Sequence, residues 1–119
     1  MIVVYGLKNC DSCRKARSWL SDRGLAHRFH DLRADGLPQS RLEAWLTALG
    51  WETVLNRRGT TWRQLPEEVR SGVTAKTAAA LLADHPALIK RPVFELPDGR
   101  VIIGFTASQQ AALAETGSG

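Results

Sequence analysis

The chain is sparing with residue types that would commit it to several broad classes. Only two of its 119 residues are cysteines, Cys10 and Cys13. That is too few for the disulfide framework that staples small secreted domains. Uninterrupted apolar runs are only a few residues long, far short of the roughly 20 needed to span a bilayer, so no membrane partner is expected. There is no block of like charge. Sixteen Lys and Arg against twelve Asp and Glu leave a net charge of +4, scattered along the chain, and no direct nucleic-acid contact is expected from it. The first residues read as a strand rather than as a basic region followed by an apolar stretch, so export is not expected. A reducing cytoplasm is the expected setting, and there two closely spaced cysteines point to catalysis or metal before a structural staple. No internal repeat or low-complexity segment is visible. The length suits one domain with a real core.

What is present reads as an alternating pattern. Residues 2–5, IVVY, form a short β-rich run closed by Gly6. The spacing of Cys13, Ala16, Trp19 and Leu20 predicts a helix over 11–22, with Arg14, Lys15 and Arg17 on its polar side. Gly24 is placed to end it. Residues 26–32 read as a second strand, parallel to the first through a right-handed crossover. A helix is expected over 38–49, ended by Gly50, then a short helical turn over 51–56. The stretch after Asn56 reads as a loop leading into one more turn. Residues 65–72 read as irregular. Thr74 caps a helix reaching Asp84. Residues 85–92 read as extended, because proline disfavours helix before it. Two strands, 93–96 and 100–103, are joined by the PDG turn. A final helix is expected over 107–115, with TGSG as a flexible end.

The order β-α-β, helices, β-β-α predicts an α/β protein of thioredoxin-like fold. Its four-stranded mixed sheet is flanked by helices, on both faces, and carries an inserted helical subdomain. One domain, 1–119, is expected, with thioredoxin-like parts at about 1–36 and 86–115 and the insert at about 37–85.

Cys10 and Cys13 form C-x-x-C at the junction of the first loop and first helix. Three chemistries compete. As a redox pair, Cys10 would sit at a helix N-terminus, whose free N–H groups and partial positive charge favour the thiolate. Lys8 and Arg14 would add to that, and Asp11 would oppose it. Cys13, one turn on, could attack an adduct at Cys10. As metal ligands, the cysteines would join His27 and His30 in C-x2-C-x13-H-x2-H. Yet two histidines three apart on a strand face opposite ways, so no metal is expected. As packing, Cys13 lies on the apolar stripe of its helix.

The segment YGLKNCDSCRKARSWL, with HRFHDLRADGL, NRRGTTWRQL and HPALIKRPV at matching spacing, resembles the ArsC/Spx/YffB family. This is the arsenate-reductase-like branch of the thioredoxin superfamily, and the YffB-type members are the nearest in pattern. The resemblance covers nearly the whole chain. It implies that Cys10 is the nucleophile and that Arg91 is an oxyanion-holding arginine. A planar guanidinium suits that task. It also implies a cis Arg91–Pro92 bond facing Cys10. A second family arginine falls at Asn56, with Arg57 and Arg58 directly after it, and a third falls at Gly104.

The resemblance therefore implies a cytoplasmic thiol–disulfide reductase using glutathione as co-substrate, with no bound cofactor. Cys10 would attack and Cys13 would be a candidate resolving thiol. Arg91, Arg57, Arg58, Lys8, Arg14 and Pro92 would form the anion- or glutathione-binding set. Two alternatives accompany it. One is an arsenate reductase coupled to glutathione and glutaredoxin. The other is an Spx-like redox-switched regulator that binds RNA polymerase. Trp51 and Trp62 are expected to close the insert's core rather than to line a glutathione groove.

Overall fold

A computed structural model describes residues 1–117. Its strands are β1 (Ile2–Gly6), β2 (His27–Asp31), β3 (Val93–Glu95) and β4 (Val101–Ile103). They form one sheet in the order β2-β1-β3-β4. β1 and β2 are parallel, while β1–β3 and β3–β4 are antiparallel. This is the mixed, four-stranded thioredoxin-like sheet that the sequence order predicts.

The chain divides into two compact units. One comprises Met1–Gly36 and the chain from Arg91 onward, and the other is Leu37–Lys90. In the first unit, helix α1 (Asp11–Asp22) follows β1. α1 places Ala16 and Leu20 against Ile2, Val4, Phe94 and Leu96 of the sheet. Leu113, from the last helix of the chain, joins the same cluster. Val4 pairs directly with Phe94 across β1 and β3, so the two helices of this unit share one sheet face. Each large apolar side chain in such a cluster contributes about 1.5–3 kcal/mol by leaving water. Trp19 packs edge-on against Phe105 at 5.7 Å. On the sheet's other face Tyr5 donates its hydroxyl to Glu95 Oε1 (2.8 Å).

The second unit is helical: α2 (Gln39–Leu49), α3 (Trp51–Val54), α4 (Thr60–Arg63), α5 (Glu67–Ser71) and α6 (Ala75–Asp84). Leu42, Trp45, Val54, Leu55, Ala78, Leu82, Leu88 and Ile89 are its buried apolar residues. Trp51 and Trp62 are only half-buried, and the insert's large buried aromatic is Trp45. α6 starts at Thr74, whose hydroxyl accepts the Thr77 N–H while Thr77 Oγ1 accepts the Thr74 N–H. Threonine here does the work usually given to glutamate in such a box. Gly50 takes a φ of +83° between α2 and α3, a conformation that glycine adopts without strain.

Three expectations are corrected. Residues 67–71 form the short helix α5, not irregular chain. Pro66 precedes it, and Glu67 and Glu68 lie in its first turn, where they complement the helix N-terminus. Residues 86–88 form a 3-10 turn rather than extended chain, with Pro86 at the position where its missing N–H costs nothing. The insert runs on to Lys90 because the Asn56 N–H bonds Leu88 O (2.8 Å), the Lys90 N–H bonds Val54 O (2.8 Å), and Leu55 bridges Ile89. The final helix α7 is Ala107–Gly117. The rest of the expected flexible end, residues 118–119, lies outside the described residues. Among the described residues, no helix is long and apolar enough to cross a membrane.

Candidate functional site

The site is built on the return from β1 into α1. At Gly6 a side chain would overlap Cys13 Sγ, so the strand end and the second cysteine are packed directly together. The Leu7–Cys10 turn closes through the Cys10 N–H to Leu7 O (3.2 Å), and α1 opens with the Arg14 N–H to Cys10 O (3.0 Å). Cys10 is thus the cap residue of α1, in extended conformation at φ −97° and ψ 121°. Its sulfur stands at the positive end of the helix. Cys10 is half-buried, Cys13 is fully buried, and both thiols are free.

The two sulfurs are chemically unlike. Burial pushes the Cys10 thiol up, but the Cys13 backbone N–H and thiol, followed by hydrogen-bonding and charge from Arg91, outweigh it. The thiol therefore ends below its ordinary value. Burial pushes the Cys13 thiol up to about 12. A Leu7 hydrogen bond opposes this, and the neighbouring Cys10 sulfur reinforces it. Burial and neighbours together thus favour the charged form more at Cys10 than at Cys13.

Arg91 hydrogen-bonds the Cys10 sulfur, and the Arg91–Pro92 bond is cis, as expected. Pro92 is buried, and its carbonyl accepts the Gly104 N–H (2.9 Å). Gly104 itself has φ +91°, a conformation that an arginine would adopt only under strain.

Asp31, at the end of β2, is only 4% exposed. Its Oδ2 accepts the Lys8 N–H (3.1 Å), and its Oδ1 accepts those of Arg33 (2.8 Å) and Ala34 (2.9 Å). One carboxylate therefore ties the cysteine loop to the turn after β2. The Ala34 N–H, opposed by burial and helped by Arg33 and Lys8, holds its carboxyl below the ordinary carboxylate range. Between these elements lies a cavity of about 480 Å³. Leu7, Lys8, Asn9 and Cys10 line one side, with Asp31, Arg33, Ala34 and Arg91 completing it.

Of the anticipated residues, Cys10, Lys8 and Arg91 share this cavity, and Cys13 and Pro92 lie buried behind it. Arg14 does not belong to it. Its guanidinium is paired with Asp11 one turn along α1, and it lines a separate surface hollow with Arg17, Ser18 and His27. The causes acting on the Cys10 thiol are Cys13 and Arg91, not Arg14 or Lys8. Arg57 and Arg58 belong to the helical unit. The Arg57 guanidinium lies 5.1 Å from the Trp51 ring centre, and the Arg58 N–H bonds Asn56 Oδ1 (3.0 Å). Asp31 and Arg33 were not anticipated from the sequence. An aspartate ending a strand before a turn rich in Asp and Gly was the available signal. His27 and His30 bond the carbonyls of Leu25 (2.8 Å) and Gly36 (2.7 Å).

A thioredoxin-like sheet with a cysteine capping its first helix, and an arginine before a cis proline facing it, defines a thiol-chemistry scaffold. Residues 5–113 match the ArsC family model, and the chain belongs to the ArsC family. A Haemophilus influenzae relative, described as an uncharacterized protein, is 47% identical over 115 residues, covering 96% of this chain and all of its own. A global transcriptional regulator Spx from Streptococcus agalactiae is 30% identical over 111 residues, covering 92% of this chain and 80% of the regulator. The solved structure of a YFFB protein superposes with a TM-score of 0.87 at 43% identity, covering 94% of this chain and 97% of that one. An arsenate reductase (ArsC) related protein from Brucella melitensis superposes at 0.77 with 46% identity, covering 93% and 92%. Relatives of this chain thus include both arsenate-reductase-related proteins and Spx regulators.

Proposed function

We propose that the chain is a thiol–disulfide reductase with Cys10 as attacking thiolate and glutathione as co-substrate. The observation that carries this reading is the contrast between the two thiols, Cys10 lowered by Cys13 and Arg91 and Cys13 raised to about 12. The Cys10 thiolate attacks the glutathione sulfur of a mixed disulfide R–S–S–G. The S–S bond breaks, R–S⁻ leaves and takes a proton from solvent, and Cys10–S–S–G forms. A second glutathione thiolate then attacks the glutathione sulfur of this adduct, forming oxidised glutathione and returning the Cys10 thiolate. Arg91 lies beside the sulfur and stabilises its negative charge before attack and after release. Lys8, on the same cavity wall, would hold an anionic group of the substrate. Arg57 and Arg58 are proposed as further anion contacts on their sequence positions alone.

Cys13 could in principle resolve the adduct, but a buried thiol raised this far is a poor nucleophile. It serves better as a hydrogen-bond donor to Cys10, which leaves resolution to external glutathione. Of the alternatives, arsenate reduction asks for an arginine where Gly104 offers no side chain. An Spx-like role is supported by the C-x-x-C itself and by the 30% identical Spx relative. Incubating the reduced protein with oxidised glutathione and measuring intact mass tests the proposal. One glutathione adduct, mapped to Cys10 and absent in Cys10→Ser, is expected. No adduct under conditions that modify control thiols removes the mechanism. Redox-dependent binding to the RNA polymerase α subunit would then favour the regulator.

A further inference from the structure

Three cations line the Cys10 cavity, and they are not equally committed. Arg91 hydrogen-bonds the Cys10 sulfur and lowers its thiol. Lys8 stands close enough to Asp31 to stabilise that carboxylate by charge, as well as donating its backbone N–H to it. Arg33 differs from both. Its backbone N–H is fixed by Asp31 Oδ1 (2.8 Å), so its place on the turn after β2 is set. Its side chain is exposed and has no hydrogen-bond or ion-pair partner among the described residues, yet it lines the same cavity as Cys10. Asp31, the one carboxylate on that wall, already accepts three backbone N–H groups. The cavity therefore includes in its lining, beside Cys10, one uncompensated guanidinium carried on a fixed stretch of backbone.

We infer that Arg33 is a specificity-determining residue that selects disulfides carrying a carboxylate beside the scissile sulfur. The inference rests on the reading of Cys10 as the attacking thiolate. Attack forms a bond from Cys10 Sγ to the nearer sulfur and expels the other half as a thiolate that takes a proton from solvent. Arg33 takes no part in that exchange. It holds the substrate carboxylate by a planar, two-pronged contact that a carboxylate matches and an ammonium group does not. The attraction is electrostatic and partly exposed, so it weakens with salt.

Three small disulfides of similar size separate charge from shape: 3,3′-dithiodipropionate, bis(2-hydroxyethyl) disulfide and cystamine. Addition to Cys10 of the full-length protein is followed by intact mass. Each rate is divided by that of 2-mercaptoethanol with the same disulfide, which removes differences in leaving-group chemistry. The normalised order expected at low salt is dianion over neutral over dication, spanning about tenfold or more. That span should shrink in about 0.5 M salt. Arg33→Glu should lower the dianion-to-dication ratio by about tenfold, and Arg33→Lys should restore part of it. Equal normalised rates, or an Arg33→Glu ratio equal to that of the parent chain, overturn the inference while leaving the thiolate reading standing. No addition of any disulfide to Cys10 overturns both.

Discussion

Asp31 shows how much a single side chain organises here. It is buried, and its two oxygens are shared unequally, with Oδ1 serving the turn after β2 and Oδ2 serving the cysteine loop through Lys8. Asparagine would keep one acceptor oxygen and turn an N–H₂ toward a backbone donor. Losing that charge-assisted bond costs about 1–3 kcal/mol. The sign of the pH dependence follows from the lowered carboxyl. A depressed folded value means that the stability is present above the ordinary carboxylate value of about 4 and is lost as pH falls through the folded value. Asp31→Asn should therefore destabilise by about 1–3 kcal/mol at pH 7 and by clearly less near pH 2. Urea unfolding at the two pH values checks this, and an equal loss at both would count against a charged role. Cys13 teaches a related lesson. Its place on the apolar stripe of α1 reads as packing, and the structure buries it there while also bringing it into hydrogen-bond contact with Cys10.

Among the elements, the junction of β1 and α1 is the most constrained. Gly6 ends the strand with no room for a methyl group, because Cys13 Sγ occupies that space. Gly6→Ala should cost about 1–3 kcal/mol through overpacking. It should also disturb the sulfur that hydrogen-bonds Cys10, so urea stability and Cys10 reactivity should fall together. Loss of stability with Cys10 reactivity intact would separate the two sulfurs. This junction was legible in the sequence, since a β-rich run, a glycine and a 3.6-residue apolar period have local causes. So were two of the three strand pairs, β1–β2 and β3–β4, because the crossover length and the PDG turn set their directions. Less legible were α5 and the 3-10 turn. Both are too short for periodicity to register, and both are decided by a proline and its neighbours. The tie from Asp31 to the cysteine loop escaped because its bond to the Lys8 N–H crosses from the end of β2 to the loop after β1, which the local turn signal does not carry. Arg14 misled in the opposite way. Its sequence distance from Cys10 is small, but Asp11 on the same helix face claims its charge.

At the scale of the whole chain, the family match over residues 5–113 and the sheet order agree on a thiol scaffold. Family membership alone does not divide reductase from regulator, since relatives bearing both kinds of name cover most of this chain. The division rests on how Cys10 behaves. The most direct measurement is the pH dependence of Cys10 alkylation by iodoacetamide, a neutral reagent, with the modified residue mapped by peptide mass. The midpoint should lie below the ordinary cysteine value of about 8.5, with Cys13 unmodified across neutral pH. Arg91→Ala should move the midpoint upward, because it removes a hydrogen bond and a positive charge from the sulfur. A midpoint at or above about 8.5, or Cys13 reacting first, would contradict the assignment of Cys10 as the activated nucleophile.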